Sequence, residues 1–248
     1  MSNLLDDIKV IYEDDNFVAL NKPAGLLVHP TKNSAEKTLA DWLGERYPEM
    51  TGVGDDPETR PGIVHRLDRD TSGVILTARN QVFFEYLKDL FRKREVIKIY
   101  LALAHGKLVP KSGIIESPIS LKKNTVRRTV FRGKDAKMAV TEYKVAGYLG
   151  SSFSLVELMP KTGRTHQVRI HLSSLGHPVV GDRLYSIRSL RDAERKAAEL
   201  GLKRQFLHAK SLEFSLPEGR RIRLEADLSE DLREFLGKLK NSGSYEKM

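Results

Sequence analysis

Apolar residues recur at residues 8–12 and again at 17–20, on either side of Glu13-Asp14-Asp15-Asn16, which predicts a hairpin of two strands. Asn21-Lys22-Pro23-Ala24-Gly25 interrupts the pattern, and Leu26-Leu27-Val28-His29-Pro30 is expected to resume a strand. Over residues 34–47, Leu39, Trp42 and Leu43 fit one helix face, stopped by Pro48. Residues 51–62 carry Gly52, Gly54, Pro57, Pro61 and Gly62 and read as a loop. Ile63-Val64 then predicts a short buried strand, Thr71-Ser72-Gly73 a turn and Val74-Ile75-Leu76 a second strand. Residues 65–70, His65-Arg66-Leu67-Asp68-Arg69-Asp70, form the loop between them.

Residues 80–95 give the clearest helix: Asn80 is placed to cap it, and Phe83, Leu87, Leu90 and Phe91 form an apolar stripe. Residues 96–104 are nearly all apolar and predict a central strand. Residues 141–145 and 152–158 alternate as antiparallel strands do, with Gly147 and Gly150 between them. From Pro160 onward the period changes to a helical one, with Val168, Leu172 and Leu175 on one face. Residues 164–167 thereby fall at a helix N-terminus, where free N–H groups and the dipole favour an anion. Residues 181–185 read as irregular, 189–200 as a charged helix, and 206–216 with 220–224 as a strand pair. A last amphipathic helix covers 228–239, with Ser229 as its cap, and residues 241–248 are expected to fray. Strands grouped in hairpins imply an α+β class with a largely antiparallel sheet and flanking helices.

The 248 residues suffice for one large domain or two small ones. No apolar run approaches the roughly 20 residues that cross a bilayer, and the start MSNLLDDIKV lacks the basic and apolar regions of a secretory signal. Absence of cysteine excludes disulfides, thiolate nucleophiles and thiolate metal sites. The expected location is therefore the cytoplasm. Forty-two Lys and Arg against 33 Asp and Glu give a net charge of +9, which suits a polyanion whose counterions such side chains displace. The excess concentrates in residues 122–137, KKNTVRRTVFRGKDAK, with seven Lys or Arg and one Asp. This stretch reads as a basic β-ribbon or loop following a phosphate backbone, with Lys122, Lys123, Arg127, Arg128 and Arg132 as its contacts.

Several familiar sites are missing. Neither GxxxxGK[ST] nor GxGxxG occurs, nor GxSxG. His166 and His171 stand five apart and His65 is isolated, so no helical zinc pair is present and no metal is expected. What remains is a carboxylate, Asp68, set among cationic side chains on a loop between strands, together with arginines, histidines and tyrosine. An ion pair at a strand end and a reactive carboxylate both fit that stretch.

His65-Arg66-Leu67-Asp68-Arg69-Asp70-Thr71-Ser72-Gly73 resembles the signature of the RluA-type RNA pseudouridine synthases. Further stretches match in order: residues 21–30 resemble the family's N-terminal segment, and Lys98-Ile99-Tyr100-Leu101-Ala102 its tyrosine strand. Residues 163–171, GRTHQVRIH, resemble its arginine segment and Leu207-His208-Ala209 its late strand. The resemblance covers about residues 8–228. It implies the pseudouridine synthase fold with a basic central cleft, one catalytic domain over residues 1–240, and isomerisation of uridine to pseudouridine in ribosomal or transfer RNA. Neither cofactor nor metal is implied, and a monomer is expected. Many relatives carry an N-terminal S4 RNA-binding module, which is not expected here.

By that match Asp68 is the catalytic carboxylate, Arg164 the guanidinium that keeps it ionised and directed, and Tyr100 the ring that stacks on uracil and mediates proton loss from C5. The uridine is flipped out of its stack, at a cost of about a few kcal/mol. Arg66 is expected to fill the vacated stack, with a phosphate contact as the alternative. His166, Gln167 and Arg169 are expected to orient Arg164 or touch RNA, with helix capping equally open for His166. Lys22 and His29 read as structural or peripheral, and Asp70 as capping a turn or pairing with Arg69. The competing function is a non-catalytic RNA-binding protein of the same fold. A metal-dependent nuclease using Asp68 and Asp70 is a third reading without a supporting carboxylate cluster.

Overall fold

The computed structural model describes residues 4–31, 35–122, 125, 127–130, 133–241 and 245–246. They form two compact units: residues 1–97 with 209–227, and residues 98–208 with 228–248. Both are α+β with mostly antiparallel strands, as the chain's patterning implies.

In the first unit, β1 (Lys9–Glu13) and β2 (Phe17–Lys22) form the expected hairpin, in which Asp14 accepts from the N–H groups of Asn16 and Phe17. Next come α1 (Leu39–Arg46), β3 (Ser72–Ala78) and α2 (Gln81–Lys93). The strand β2 pairs with β3 from Phe17↔Ala78 to Lys22↔Gly73, and β3 is buried along its whole length. Thr38 and Asp41 close a capping box on α1, and Asn80 accepts from Phe83 N–H to cap α2. The stripe of α2 packs Phe83, Phe84, Leu87 and Leu90 on Phe17, Leu76 and Phe214.

Residues 26–30 are not the strand that their apolar letters suggest. Leu26 and Val28 are buried as pegs, while the carbonyls of Leu27 and Val28 accept from the N–H groups of Leu39 and Ala40 at the start of α1. Ile63 likewise makes a single bridge to Thr77 instead of a strand.

The second unit is built on β4 (Ile97–His105), β5 (Ser112–Leu121), β6 (Arg128–Thr129), β7 (Lys134–Leu149) and β8 (Phe153–Pro160), in the spatial order β4-β8-β7-β5-β6. The helix α3 (Gln167–Ser174) follows β8, and α4 (Arg191–Glu199) follows a short turn. The strand β9 (Leu207–Ser215) returns to the first unit, where β10 (Arg221–Glu225) pairs with it, and α5 (Glu230–Asn241) closes the second. Apolar clusters fill this unit around Val156, Leu158, Val168 and Leu172, around Phe206, Leu232 and Phe235, and, on a smaller scale, around Ile119, Ala139 and Ile170. Of the tail expected to fray, Asn241 ends α5 and a two-residue strand, β11 (Tyr245–Glu246), pairs with β7, while residues 242–244 and 247–248 lie outside the described residues. Leu175, expected on the inner face of α3, is 40% exposed because α3 ends one residue earlier.

Candidate active site

The loop bearing Asp68 is held by backbone approaches that admit only glycine. Gly62 has φ +65°, and a Cβ there would lie 2.0 Å from the carbonyl oxygen of Ala78. Gly73 has φ +115°, and its Cβ would fall 2.2 Å from that of Ala209 on β9. Between them Leu67 is buried, which leaves Arg66 exposed and Asp68 half-buried on the loop surface. Thr71 N–H donates to the Asp68 carbonyl at 3.1 Å and closes the turn.

The segment at residues 21–30 clamps this loop. Lys22 is fully buried, and its ammonium donates to the carbonyls of Pro23 at 2.8 Å, Leu26 at 2.9 Å and Arg69 at 3.0 Å. Gly25 N–H also donates to the Arg69 carbonyl, and Arg69 Nε returns a bond to the Gly25 carbonyl. The Arg69 guanidinium pairs with Glu36 at 2.8 Å. His65 accepts from Leu76 N–H at 2.9 Å and stacks on Phe91. His29, read from sequence as structural or peripheral, reaches Arg66: its Nε2 lies 3.2 Å from Arg66 Nη1, and its Nδ1 bonds the Pro30 carbonyl. Since only Nδ1–H can donate to that carbonyl, Nε2 is left to accept from the guanidinium.

Tyr100 and Arg164 belong to the second unit. Tyr100 is half-buried on β4, opposite Leu158 of β8, and packs against the cluster around Val156 and Leu158. Arg164 is half-buried in the loop from β8 to α3, with its Nε 3.4 Å from the Met138 carbonyl on β7. The loop is shaped by Gln167. That side chain accepts from Thr162 Oγ1 at 2.7 Å and Arg164 N–H at 3.0 Å, and donates to the Val140 carbonyl and Thr141 Oγ1, both at 2.9 Å. His166 takes the left-handed conformation (φ 57°) at the cap of α3.

The expectation that Gln167 and Arg169 touch RNA does not fit their placement. Both are 4% exposed. The amide of Gln167 makes four internal hydrogen bonds, and Arg169 grips Asp182 through Nε at 2.6 Å and Nη2 at 2.8 Å. Polar residues at the start of a helix read as surface residues, but α3 is buried over residues 167–172, so their polarity is used inside. Of the basic segment, Lys122 and Arg127 are exposed and Arg128 half-buried, with β6 pairing to β5 as a short ribbon. Lys123 and Arg132 lie outside the described residues. Among the described residues no cluster of three His, Asp or Glu side chains could share a metal ion, and no helix is long and apolar enough to cross a membrane.

Residues 16–174, which include Asp68, Tyr100 and Arg164, match the family model described as RNA pseudouridylate synthase. The chain belongs to the RluA-type pseudouridine synthase family. It is 35% identical over 238 residues to the uncharacterized RNA pseudouridine synthase YlyB of Bacillus subtilis, covering 96% of this chain and 74% of that one. It is 38% identical to ribosomal large subunit pseudouridine synthase D of Xanthomonas campestris, across 96% of this chain and 71% of the relative. Among solved structures it is similar to human RNA pseudouridylate synthase domain containing 1, with a TM-score of 0.75 and 26% identity, covering 100% of this chain and 92% of that one. Members of this family are isomerases. The clamp by Lys22, the His29–Arg66 contact and the part of Tyr185 described below were not assigned from sequence. The resemblance of residues 21–30 to one family segment is the signal that sets Lys22 and His29 on a shared element.

Proposed function

We propose that the chain converts uridine to pseudouridine in ribosomal RNA, with Asp68 as the catalytic carboxylate. The observation that carries this reading is the placement of Asp68, half-buried on a loop whose rear is bonded to a buried ammonium. A loop so fixed presents its carboxylate without reorganisation. In the reaction the bond from ribose C1′ to N1 breaks, the base turns, C1′ bonds to C5, C5 loses a proton and N1 gains one. Atoms and charge balance with no redox partner. Whether the carboxylate attacks C1′, adds to the base or takes a ribose proton, it must be ionised. Arg164 supplies a guanidinium and Tyr100 a stacking ring and a hydroxyl for the C5 proton.

Arg66 enters the stack vacated by the flipped uridine, its guanidinium oriented by His29. Lys122, Arg127 and Arg128, with Lys123 and Arg132, hold phosphates, and His166 contacts RNA. Gln167 and Arg169 act by shaping the Arg164 loop. Residues 1–240 work as one catalytic domain, a monomer without cofactor or metal, in the cytoplasm. Relatives named for the large ribosomal subunit favour that RNA over transfer RNA. The test is pseudouridine mapping of ribosomal RNA from cells lacking the gene, complemented with the wild type or Asp68→Asn. One or more sites should return with the wild type and none with the variant, which should still bind RNA. A site restored by Asp68→Asn would remove Asp68 from the chemistry.

A further inference from the structure

Tyr185 sits in a stretch without regular structure, yet its main chain and its ring are both fixed. Its N–H donates to Asp182 Oδ1 at 3.2 Å and its carbonyl accepts from Ser173 Oγ at 2.9 Å. The ring packs against Ile119, Ala139 and Ile170, and the Arg169 guanidinium lies over it, 5.2 Å from the centroid. A phenol held this way is a fixed point, and its hydroxyl joins two segments distant in sequence. Arg128 N–H, on the basic ribbon, donates to the phenol oxygen at 3.2 Å, and His166 Nδ1 lies 2.8 Å from the same oxygen, with the rings edge to face. His166 in turn adjoins Gln167, whose side chain holds Arg164 N–H.

We propose that Tyr185 is a positioning residue that couples the basic ribbon to the loop carrying Arg164, so that RNA seated on the ribbon sets that loop's geometry. This rests on the isomerase reading above. A phenol proton directed at His166 Nδ1 makes that nitrogen the acceptor and puts the proton of the neutral imidazole on Nε2. Loss of the hydroxyl releases both ends of the link. It leaves intact the ring, the cover by Arg169 and the main-chain bonds.

The experiment uses the full chain with Tyr185→Phe. The imidazole of His166, assigned in nitrogen-15 spectra with the aid of His166→Gln, should show the Nε2–H tautomer in the wild type. In Tyr185→Phe it should become a tautomer mixture. With ribosomal RNA from cells lacking the gene as substrate, the single-turnover rate should fall roughly ten-fold while RNA affinity stays within about two-fold, the signature of a group acting after binding. The melting temperature should stay within about 2 °C, since only the hydroxyl of a half-buried residue is removed. An unchanged His166 signal overturns the link. So does a rate loss matched by an equal loss of affinity, or a fall in melting temperature that accounts for the lost rate. If the wild type forms no pseudouridine, the isomerase reading fails instead, and the spectra still decide whether Tyr185 holds His166.

Discussion

The ammonium of Lys22 donates to the carbonyl of Arg69, the residue next to Asp68, from a position wholly shielded from water. A charged group costs free energy to bury unless its hydrogen bonds are satisfied. Here the carbonyls of Pro23, Leu26 and Arg69 supply three acceptors for three N–H groups. The strand β2, the turn after it and the loop bearing Asp68 are therefore joined at one atom. This explains why a lysine stands where an apolar residue would otherwise end a buried strand.

Replacing Lys22 by Met keeps the volume and leaves three carbonyls without that donor. Relief of the ammonium's desolvation offsets part of the loss, so the expected destabilisation is about 2 to 4 kcal/mol. Single-turnover activity should fall further than the folded fraction does, because the loop is freed even in folded molecules. Urea unfolding and rate measurements on the same samples check this. An unchanged midpoint would mean that the clamp contributes nothing.

Much of the first unit was legible from patterning because its elements are locally consistent. Asn80 before an apolar stripe marks the cap of α2, and the run before Arg79 is the buried strand β3. The strand β5 was not foreseen at all. Gly113 and Pro118 interrupt it, and only Ile115, Ile119 and Ser120 among its residues are buried, so neither composition nor period two stands out. Its pairing with β7, from Ser112↔Lys144 to Leu121↔Lys134, provides the stability that local sequence does not. The inward turn of Gln167 and Arg169 escaped detection for a related reason. Among their partners, Val140, Thr141 and Asp182 are 13 to 27 residues away in sequence, and no local rule reports on contacts of that range.

The pair of Arg169 and Asp182 is buried on both sides, with side-chain exposures of 5% and 0%. Arg169→Met should cost about 3 to 5 kcal/mol, since it leaves a buried carboxylate without its cation. Asp182 also accepts from the N–H groups of Leu184 and Tyr185, and Asn at that position keeps an acceptor for them. The double variant Arg169→Met with Asp182→Asn should therefore recover at least about half of the loss. Equal destabilisation of the single and double variants in chemical unfolding would show that packing, rather than charge, dominates there.

If the ribbon follows phosphates, its exposed cations should appear in the salt dependence of binding. Lys122→Gln together with Arg127→Gln removes two charges while leaving the main-chain pairing of β5 and β6 in place. The slope of log affinity against log salt should become shallower by roughly 1.5, at about 0.7 to 0.9 per phosphate contact. Affinity measured from 50 to 300 mM salt on ribosomal RNA fragments tests it. A parallel shift without a change of slope would place the ribbon away from the phosphates.

His171 supplies a pH dependence unrelated to catalysis. It lies on α3 with no exposed surface, and its Nδ1 is 2.9 Å from Thr141 Oγ1. Burial pushes its imidazole below the ordinary value of 6.5, and the nearby main chain of Ser117 offsets only part of that. The unfolded chain therefore takes up a proton at a higher pH than the folded one. The stabilising contribution is complete above pH 6.5 and is lost as pH falls from there toward the depressed value, with a slope of up to about 1.4 kcal/mol per pH unit. The chain has seven histidines, so the wild-type profile mixes several titrations. The difference between it and His171→Met isolates this one. Unfolding free energies from pH 8 to 5 should fall more steeply with acidification for the wild type than for the variant, and the two curves should run parallel above pH 7. Parallel curves throughout would mean that the buried imidazole accepts its proton as readily in the fold as in the unfolded chain.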